Sequence, residues 1–306
     1  MIYRLCQETL YSYAGPVPFS RHIARMLPTS RTGQRVVTAT LAIDPAPSER
    51  RQSIDFFGNR VTHFALDRSH DRLTVRLDAE IAVARVAPPP AETTPAFELV
   101  RAAAAASTDL GPASPIHALF ASPAIDLPPA ITRYAAASFA ADRPVLAGAA
   151  ELMTRIRDDF AYEPGATDVT TRPAEAFAKK AGVCQDFAHV MIAGLRGLSL
   201  PARYVSGYLR TEPPPGCPRL EGADATHAWV EVWCGAAAGW IGLDPTNGIY
   251  AGDDHIVLAV GRDYTDVSPL DGVIFAYGDH TIEVRVDVIP LDGPAAADTG
   301  AEGEDG

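Results

Sequence analysis

Residues 181–209 read AGVCQDFAHVMIAGLRGLSLPARYVSGYL, and this stretch decides what fold the chain can build. Phe187, Val190, Met191, Ala193, Gly194 and Leu195 fall on one side of a helix that ends near Gly197. After Pro201 the apolar period drops to two in RYVSGYL, which marks a strand. Gly182 serves the tight entry to the helix, so Cys184 sits in its first turn. A helix N-terminus exposes N–H groups without an intrahelical acceptor and carries a partial positive charge. Both favour thiolate over thiol, and the same N–H groups can stabilise an oxyanion forming beside the sulfur. A solitary cysteine is otherwise a small buried hydrophobe, so Cys184 needs partners before it counts as a nucleophile.

Two downstream segments supply candidates. ATHAWVEVW (225–233) alternates, which puts His227, Trp229, Glu231 and Trp233 on one strand face and Ala228, Val230 and Val232 on the other. GWIGLDPTNG (239–248) resumes as a strand after a Gly-containing turn and stops at Asp244-Pro245. An antiparallel hairpin of the two brings Asp244 beside His227. A thiolate nucleophile needs a base, and that imidazole needs a partner that fixes its tautomer and orientation. Cys184, His227 and Asp244 fill the three roles.

Upstream, VVTATLAI (36–43), SIDFFGN (53–59), VTHFAL (61–66), LTVRL (73–77) and AEIAVARV (79–86) are short, β-branched strands separated by turns. PPPAETTP (88–95) reads as a linker, since repeated prolines remove backbone donors and extend the chain. Residues 97 to about 160 are Ala-rich with helical spacing. Beyond 203, HIVLAV and HTIEVRVDV join the hairpin in a second sheet. The reading thus divides the chain into a β-rich domain (1–88), a linker and helical segment (89–150), a core (151–290) and a disordered acidic tail (291–306).

The blocks GVCQDFAHVMIAGLR, PARYVSGYL, ATHAWVEVW and GWIGLDPTNG, in that order, resemble the transglutaminase-like superfamily of papain-like cysteine enzymes. GRDYTDVSPLDG (261–272) continues the likeness, and GQRVVTATLAIDP with DFFGNRVTHFAL resembles the N-terminal β region of bacterial members. The resemblance implies an α+β fold: a helix carrying the cysteine packed on an antiparallel sheet, preceded by a sandwich-like β domain. It also implies that Cys184 is the nucleophile, His227 the general base and later acid, and Asp244 the orienting carboxylate. The family's oxyanion donors are the nucleophile's own N–H and an upstream side chain, for which Tyr162 is the first candidate and Gln185 the second.

Composition narrows the partners. The chain has 306 residues, 47% of them hydrophobic, and no run long and apolar enough for a spanning helix, so a globular cytoplasmic protein without a membrane partner is expected. Residues 1–90 hold 12 arginines against 8 acids, whereas the remainder holds 14 basic and 30 acidic residues. That balance argues against nucleic acid, which needs clustered cations. Cys6, Cys184, Cys217 and Cys234 show neither a disulfide framework nor zinc spacing. His227 with Glu231 lacks the further ligands a metal needs, Asp253-Asp254 lacks a calcium-loop register, and no phosphate-binding glycine motif occurs. No cofactor and no metal are therefore expected. His189 points away from Cys184 on the helix, and His22, His63, His70, His117, His255 and His280 read as structural or exposed.

The expected chemistry is attack by Cys184 on an amide or ester carbonyl of a peptide or protein substrate, giving a thioester. Water then makes the protein a peptidase, amidase or isopeptidase. An amine makes it a protein-glutamine acyltransferase, and a binding module that keeps the fold without catalysis is the third reading. The sequence leaves the oligomeric state open.

Overall fold

Alternation builds the first quarter of the chain into strands. The structure, a computed structural model, describes residues 1–211, 225–275 and 278–291. Cys217 and the acidic stretch from 292 onward lie outside the described residues. Strands β1 (Ile2–Val17), β2 (Ser20–Leu27), β3 (Gln34–Asp44), β4 (Glu49–Ile54), β5 (Arg60–Leu66) and β6 (His70–Val83) follow one another. In β6, Leu73, Val75, Leu77, Ala79, Ile81 and Val83 all point into the core, as a period of two requires.

The helices and the second half come next: α1 (Phe97–Ala105), α2 (Pro129–Ala136), α3 (Val145–Asp159), β7 (Ala161–Tyr162), α4 (Pro173–Lys179), β8 (Ala181–Gly182), α5 (Cys184–Gly197) and β9 (Ala202–Leu209). They are followed by β10 (Ala225–Trp233), β11 (Trp240–Asp244), β12 (Ile249–Tyr250), β13 (His255–Gly261), α6 (Tyr264–Val267), β14 (Leu270–Ile274) and β15 (His280–Pro290).

Two antiparallel four-stranded sheets, β15-β1-β6-β3 and β14-β2-β5-β4, enclose one apolar cluster that includes Leu5, Leu77 and Val288 from the first and Met26 and Phe64 from the second. The last two strands of the chain thus complete the N-terminal sandwich. The sequence reading placed 270–290 with the core, and β14 pairs instead with β2, β15 with β1. Alternation says that a segment pairs, but not which edge it joins.

Three local readings change as well. LTVRL and AEIAVARV are one strand, β6. SIDFFGN is the end of β4 plus a turn, in which Asp55 Oδ1 accepts the N–H groups of Phe57 and Asn59 at 2.9 Å each. The first 27 residues, not read as strands, form β1 and β2; Tyr3, Leu5, Gln7 and Thr9 are the buried alternate positions that signalled β1.

The second sheet has the order β12-β11-β10-β9-β13. Helix α5 packs across β10 and β9, with Ala228, Val230, Val232 and Tyr204 in the same cluster as Phe187, Met191 and Leu195. Helices α2, α3 and α4 cover its other sides, so every residue from Gln185 to Arg196 is buried rather than only one face. Gly194 allows this: a Cβ there would stand 2.8 Å from Ala135 Cβ on α2. The one cation this burial traps, Arg196, donates to the carbonyls of Ala202, Phe120 and Arg262 and to Ser122 Oγ at 2.6–3.1 Å.

Strand β13 is an edge, and two side-chain amides close it. Gln34 exchanges two hydrogen bonds of 2.8 Å with Val257, and Asn59 exchanges bonds of 2.8 and 2.9 Å with Val260. Each amide reproduces the donor–acceptor pair of a neighbouring strand, satisfying an edge that would otherwise recruit one. These contacts fasten the sandwich to the second sheet. Among the described residues no helix is long and apolar enough to cross a membrane.

Candidate active site

The turn before α5 is built around Asp186. Its Oδ2 accepts the N–H of Val183 at 2.8 Å and the hydroxyl of Thr167 at 2.6 Å, which caps the first turn from within. Gly182 is required because a Cβ there would lie 2.5 Å from that oxygen. Cys184 is thereby fixed as the first residue of the helix, half-buried, with the helix N–H groups behind it.

β10 and β11 form the expected hairpin, with Val230 opposite Leu243. His227 Nε2 lies 2.8 Å from Asp244 Oδ2. Cys184 lies close enough to act on this imidazole. Burial opposes a charged ring, but the hydrogen bond to Asp244 and the nearness of Cys184 outweigh it and push His227 up to about 9. The structure thus brings His227 and Asp244 into direct contact and sets Cys184 near the imidazole.

Asp244 is fully buried and saturated with donors. The N–H groups of Thr246 and Asn247 reach Oδ1 at 2.9 and 3.2 Å, and Asn247 Nδ2 reaches Oδ2 at 2.7 Å. The turn sequence DPTNG folds back on its own aspartate through two backbone N–H groups, and Asn247 adds its side-chain amide. Burial raises the carboxyl, yet the hydrogen bonds from His227, His255 and Asn247 hold it well below the usual carboxylate range.

His255, read from sequence as structural or exposed, belongs to this site. It is buried at the start of β13, and its Nε2 lies 3.2 Å from Asp244 Oδ2. The N–H of Gly252 donates to its Nδ1 at 3.2 Å, so Nε2 carries the proton and donates to Asp244. Nothing in the segment DDHIVLAV distinguishes this histidine by pattern; β10 and β9 lie between β11 and β13 in the sheet, so the contact with Asp244 exists only in the folded chain. Trp229 packs against both rings, at 6.1 Å from His227 and 5.1 Å from His255.

His227, Asp244 and His255 present three ligand-type atoms within 4.8 Å of one another. A metal would need the lone pair of His255 Nε2, which the Gly252 contact makes a donor, so these atoms are arranged as a hydrogen-bonded group. Glu231 does not join them: it is paired with Arg203 at 2.6 Å.

Of the two oxyanion candidates, one is near enough to feel the charge of Cys184, although its side chain is largely exposed. Parallel pairing of β7 with β8 sets Tyr162 opposite Gly182, and both burial and Cys184 raise its phenol. Gln185 is turned away, its amide donating to the Val169 carbonyl at 3.2 Å. Tyr204, which the sequence reading passed over, is buried under the same cysteine; burial first and Cys184 second raise its phenol well above the usual value. His189 is a core histidine, as its helical offset from Cys184 implied. It accepts the Tyr264 N–H at 3.3 Å, and burial lowers it to about 4.

Comparison with known proteins agrees with this architecture. Residues 3–82 match the bacterial transglutaminase-like N-terminal region, and residues 132–245 match the transglutaminase-like superfamily. An uncharacterized protein of Mycobacterium tuberculosis is 41% identical over 304 residues, covering 96% of this chain and 94% of its own. An uncharacterized protein of Mycobacterium leprae is 33% identical over 293 residues, covering 94% of this chain and 98% of its own. The crystal structure of a "Putative Cysteine Protease from Cytophaga hutchinsonii" superposes with a TM-score of 0.75 at 21% identity, covering 97% of this chain and 92% of that one, which shows a shared fold. The sandwich, the cysteine-bearing helix on its antiparallel sheet and these matches place the chain in the transglutaminase-like superfamily, with the bacterial N-terminal region of that family at its front.

Proposed function

We propose that this protein is a thiol-dependent hydrolase, a peptidase, amidase or isopeptidase, working through Cys184, His227 and Asp244. The observation that carries the reading is the imidazole of His227, held by a buried carboxylate at 2.8 Å and raised by the nearness of Asp244 and Cys184. An imidazole raised to about 9 is cationic at neutral pH, the state needed to sustain a thiolate and then to protonate a leaving amine.

In this reading the Cys184 thiolate adds to the carbonyl carbon, and the electron pair of the C=O bond moves to oxygen. The first-turn N–H groups of α5 and the hydroxyl of Tyr162 donate to that oxyanion. Collapse reforms the C=O bond and breaks the C–N bond, and the departing amine takes the proton of His227. Water then attacks the thioester while His227 removes its proton; the thiolate leaves, the ring is again protonated, and a carboxylic acid product departs. Asp244 stays ionised throughout and fixes the ring.

The same thioester would serve a protein-glutamine acyltransferase if an amine reached it first. Incubating the purified protein with a peptide library, with and without a primary amine, separates the two. Hydrolysis products without amine support the proposal; amine-dependent product with negligible hydrolysis overturns it in favour of transfer. Absence of both activities, together with one slow alkylation rate for all thiols, would make the chain a binding module.

A further inference from the structure

A cavity of about 920 Å³ lies on the face of the second sheet opposite α5, between that sheet, the β2–β3 loop and the proline-rich linker. Arg31 from the loop, Arg85 from the segment after β6 and Arg203 from β9 line it. Trp229, Trp240 and Tyr250 form its aromatic wall, and Pro88, Pro89 and Pro95 face them. None of these residues takes part in the chemistry proposed above.

The charges in this cavity are out of balance. Glu231 is its lining carboxylate, and it is engaged by Arg203 at 2.6 Å. Arg203 also stacks on Trp240, with its guanidinium carbon 4.2 Å from the ring centre. Arg85 donates to the carbonyls of Gly252 and His255 at 3.1 and 3.0 Å, while its backbone N–H donates to Asp253. Asp55, the remaining carboxylate felt by Arg31, is held by Arg25 at 3.8 Å.

Arg31 is left over. Its one side-chain hydrogen bond is to Thr29 Oγ1 at 3.2 Å, and its buried Nε has no partner among the described residues. Burial lowers this guanidinium; Glu231, already engaged by Arg203, raises it, and the nearness of Arg203 and Arg85 lowers it again. A buried cation with an orphaned donor is costly unless an anion completes it.

We propose that this cavity binds an organic monocarboxylate with an apolar or aromatic body, its carboxylate on Arg31 and its body against Trp229 and Trp240. Three guanidiniums line the cavity with Glu231, and Asp253 lies outside it against Arg85, leaving one positive charge for the ligand to neutralise. That favours a monoanion over a dianion such as phosphate. The wall of prolines and aromatic rings suits a flat or apolar body, and a guanidinium meets a carboxylate with two parallel hydrogen bonds. Trp229 also touches His227 and His255, so the ligand sits one ring away from the imidazoles.

The test uses the full chain, with phenylacetate as probe and neutral phenylacetamide and inorganic phosphate as comparisons. Binding is read by calorimetry and by tryptophan fluorescence, neither of which depends on enzymatic activity. One phenylacetate is expected per chain, with a dissociation constant below about 1 mM and a fluorescence change. The amide and phosphate are expected to bind at least about tenfold more weakly. Arg31→Gln should weaken phenylacetate about tenfold or more, and Arg31→Lys, which keeps the charge but not the two-pronged contact, should recover only part of that loss, with unchanged near-ultraviolet dichroism in both. Equal binding of the amide, tighter binding of phosphate, or an Arg31→Gln variant that binds like the parent each overturns the proposal. So does a failure of phenylacetate to saturate. Loss of hydrolase activity elsewhere leaves these readouts untouched.

Discussion

His255 Nε2 stands 3.2 Å from Asp244 Oδ2, the oxygen that also receives His227 Nε2 at 2.8 Å. Because Gly252 donates to the other nitrogen of His255, this second imidazole acts as a fixed donor that holds the carboxylate in place. His255→Leu is expected to lower kcat/KM by about tenfold to a hundredfold, mostly in kcat, by freeing Asp244 to rotate. His255→Gln retains a donor and should keep more activity. Equal losses for both variants would reduce His255 to packing.

The pH profile follows from His227. The ring is protonated below about 9 and neutral above it, so both the ion pair and the proton for the leaving amine disappear as pH rises through that value. The alkaline limb of kcat/KM is expected near 9 in the parent. Asp244→Asn removes the negative partner that helps raise the ring, so the limb should move to lower pH and kcat should fall by orders of magnitude. A limb that stays fixed in Asp244→Asn would assign it to another group.

Thiol reactivity separates the cysteines. Burial pushes the Cys234 thiol up to about 12 and raises that of Cys6, and Cys234 has no exposed surface. Iodoacetamide near neutral pH is expected to label Cys184 first, with the rate falling in His227→Ala. Mass-spectrometric mapping of the adducts checks this, and preferential labelling of Cys6 would count against the proposed nucleophile.

The turn at Gly182 is a point of fragility away from the reacting atoms. Gly182→Ala drives a methyl group into Asp186, whose oxygen would be 2.5 Å away, and Asp186 caps the helix that carries Cys184. A loss of about 1–3 kcal/mol in stability is expected, with slower alkylation of Cys184. Denaturant melts and labelling rates measured together test it.

The amide clasps on β13 predict a different phenotype. Gln34→Ala or Asn59→Ala leaves a buried N–H and C=O of Val257 or Val260 unpaired, at a cost of about 1–3 kcal/mol per group. Both should lower the midpoint of a single thermal transition. Two separate transitions in either variant would mean that the sandwich and the second sheet part company when a clasp is lost.

How much of this was legible beforehand depends on the range of each interaction. The helix start at Cys184, the alternation of ATHAWVEVW and the stop at Asp244 are local, because backbone period and turn chemistry act within a few residues. The DPTNG turn even carries the donors that saturate Asp244. The burial of α5 on all sides was not legible, since a helix pattern reports apolar positions without saying how many neighbours will cover them.

The sequence by itself determined the two sheet-forming regions, the helix between them, and a thiol, an imidazole and a carboxylate in an order that a hairpin can gather. Only the tertiary structure decided that β15 closes the N-terminal sandwich, that His255 shares the carboxylate of His227, and that Arg31 meets Arg85 and Arg203 over one cavity. The physical reason is the same in each case. Hydrogen-bonding period is written residue by residue, whereas strand order and the meeting of distant side chains depend on which edges and faces remain to be covered once the local elements have formed.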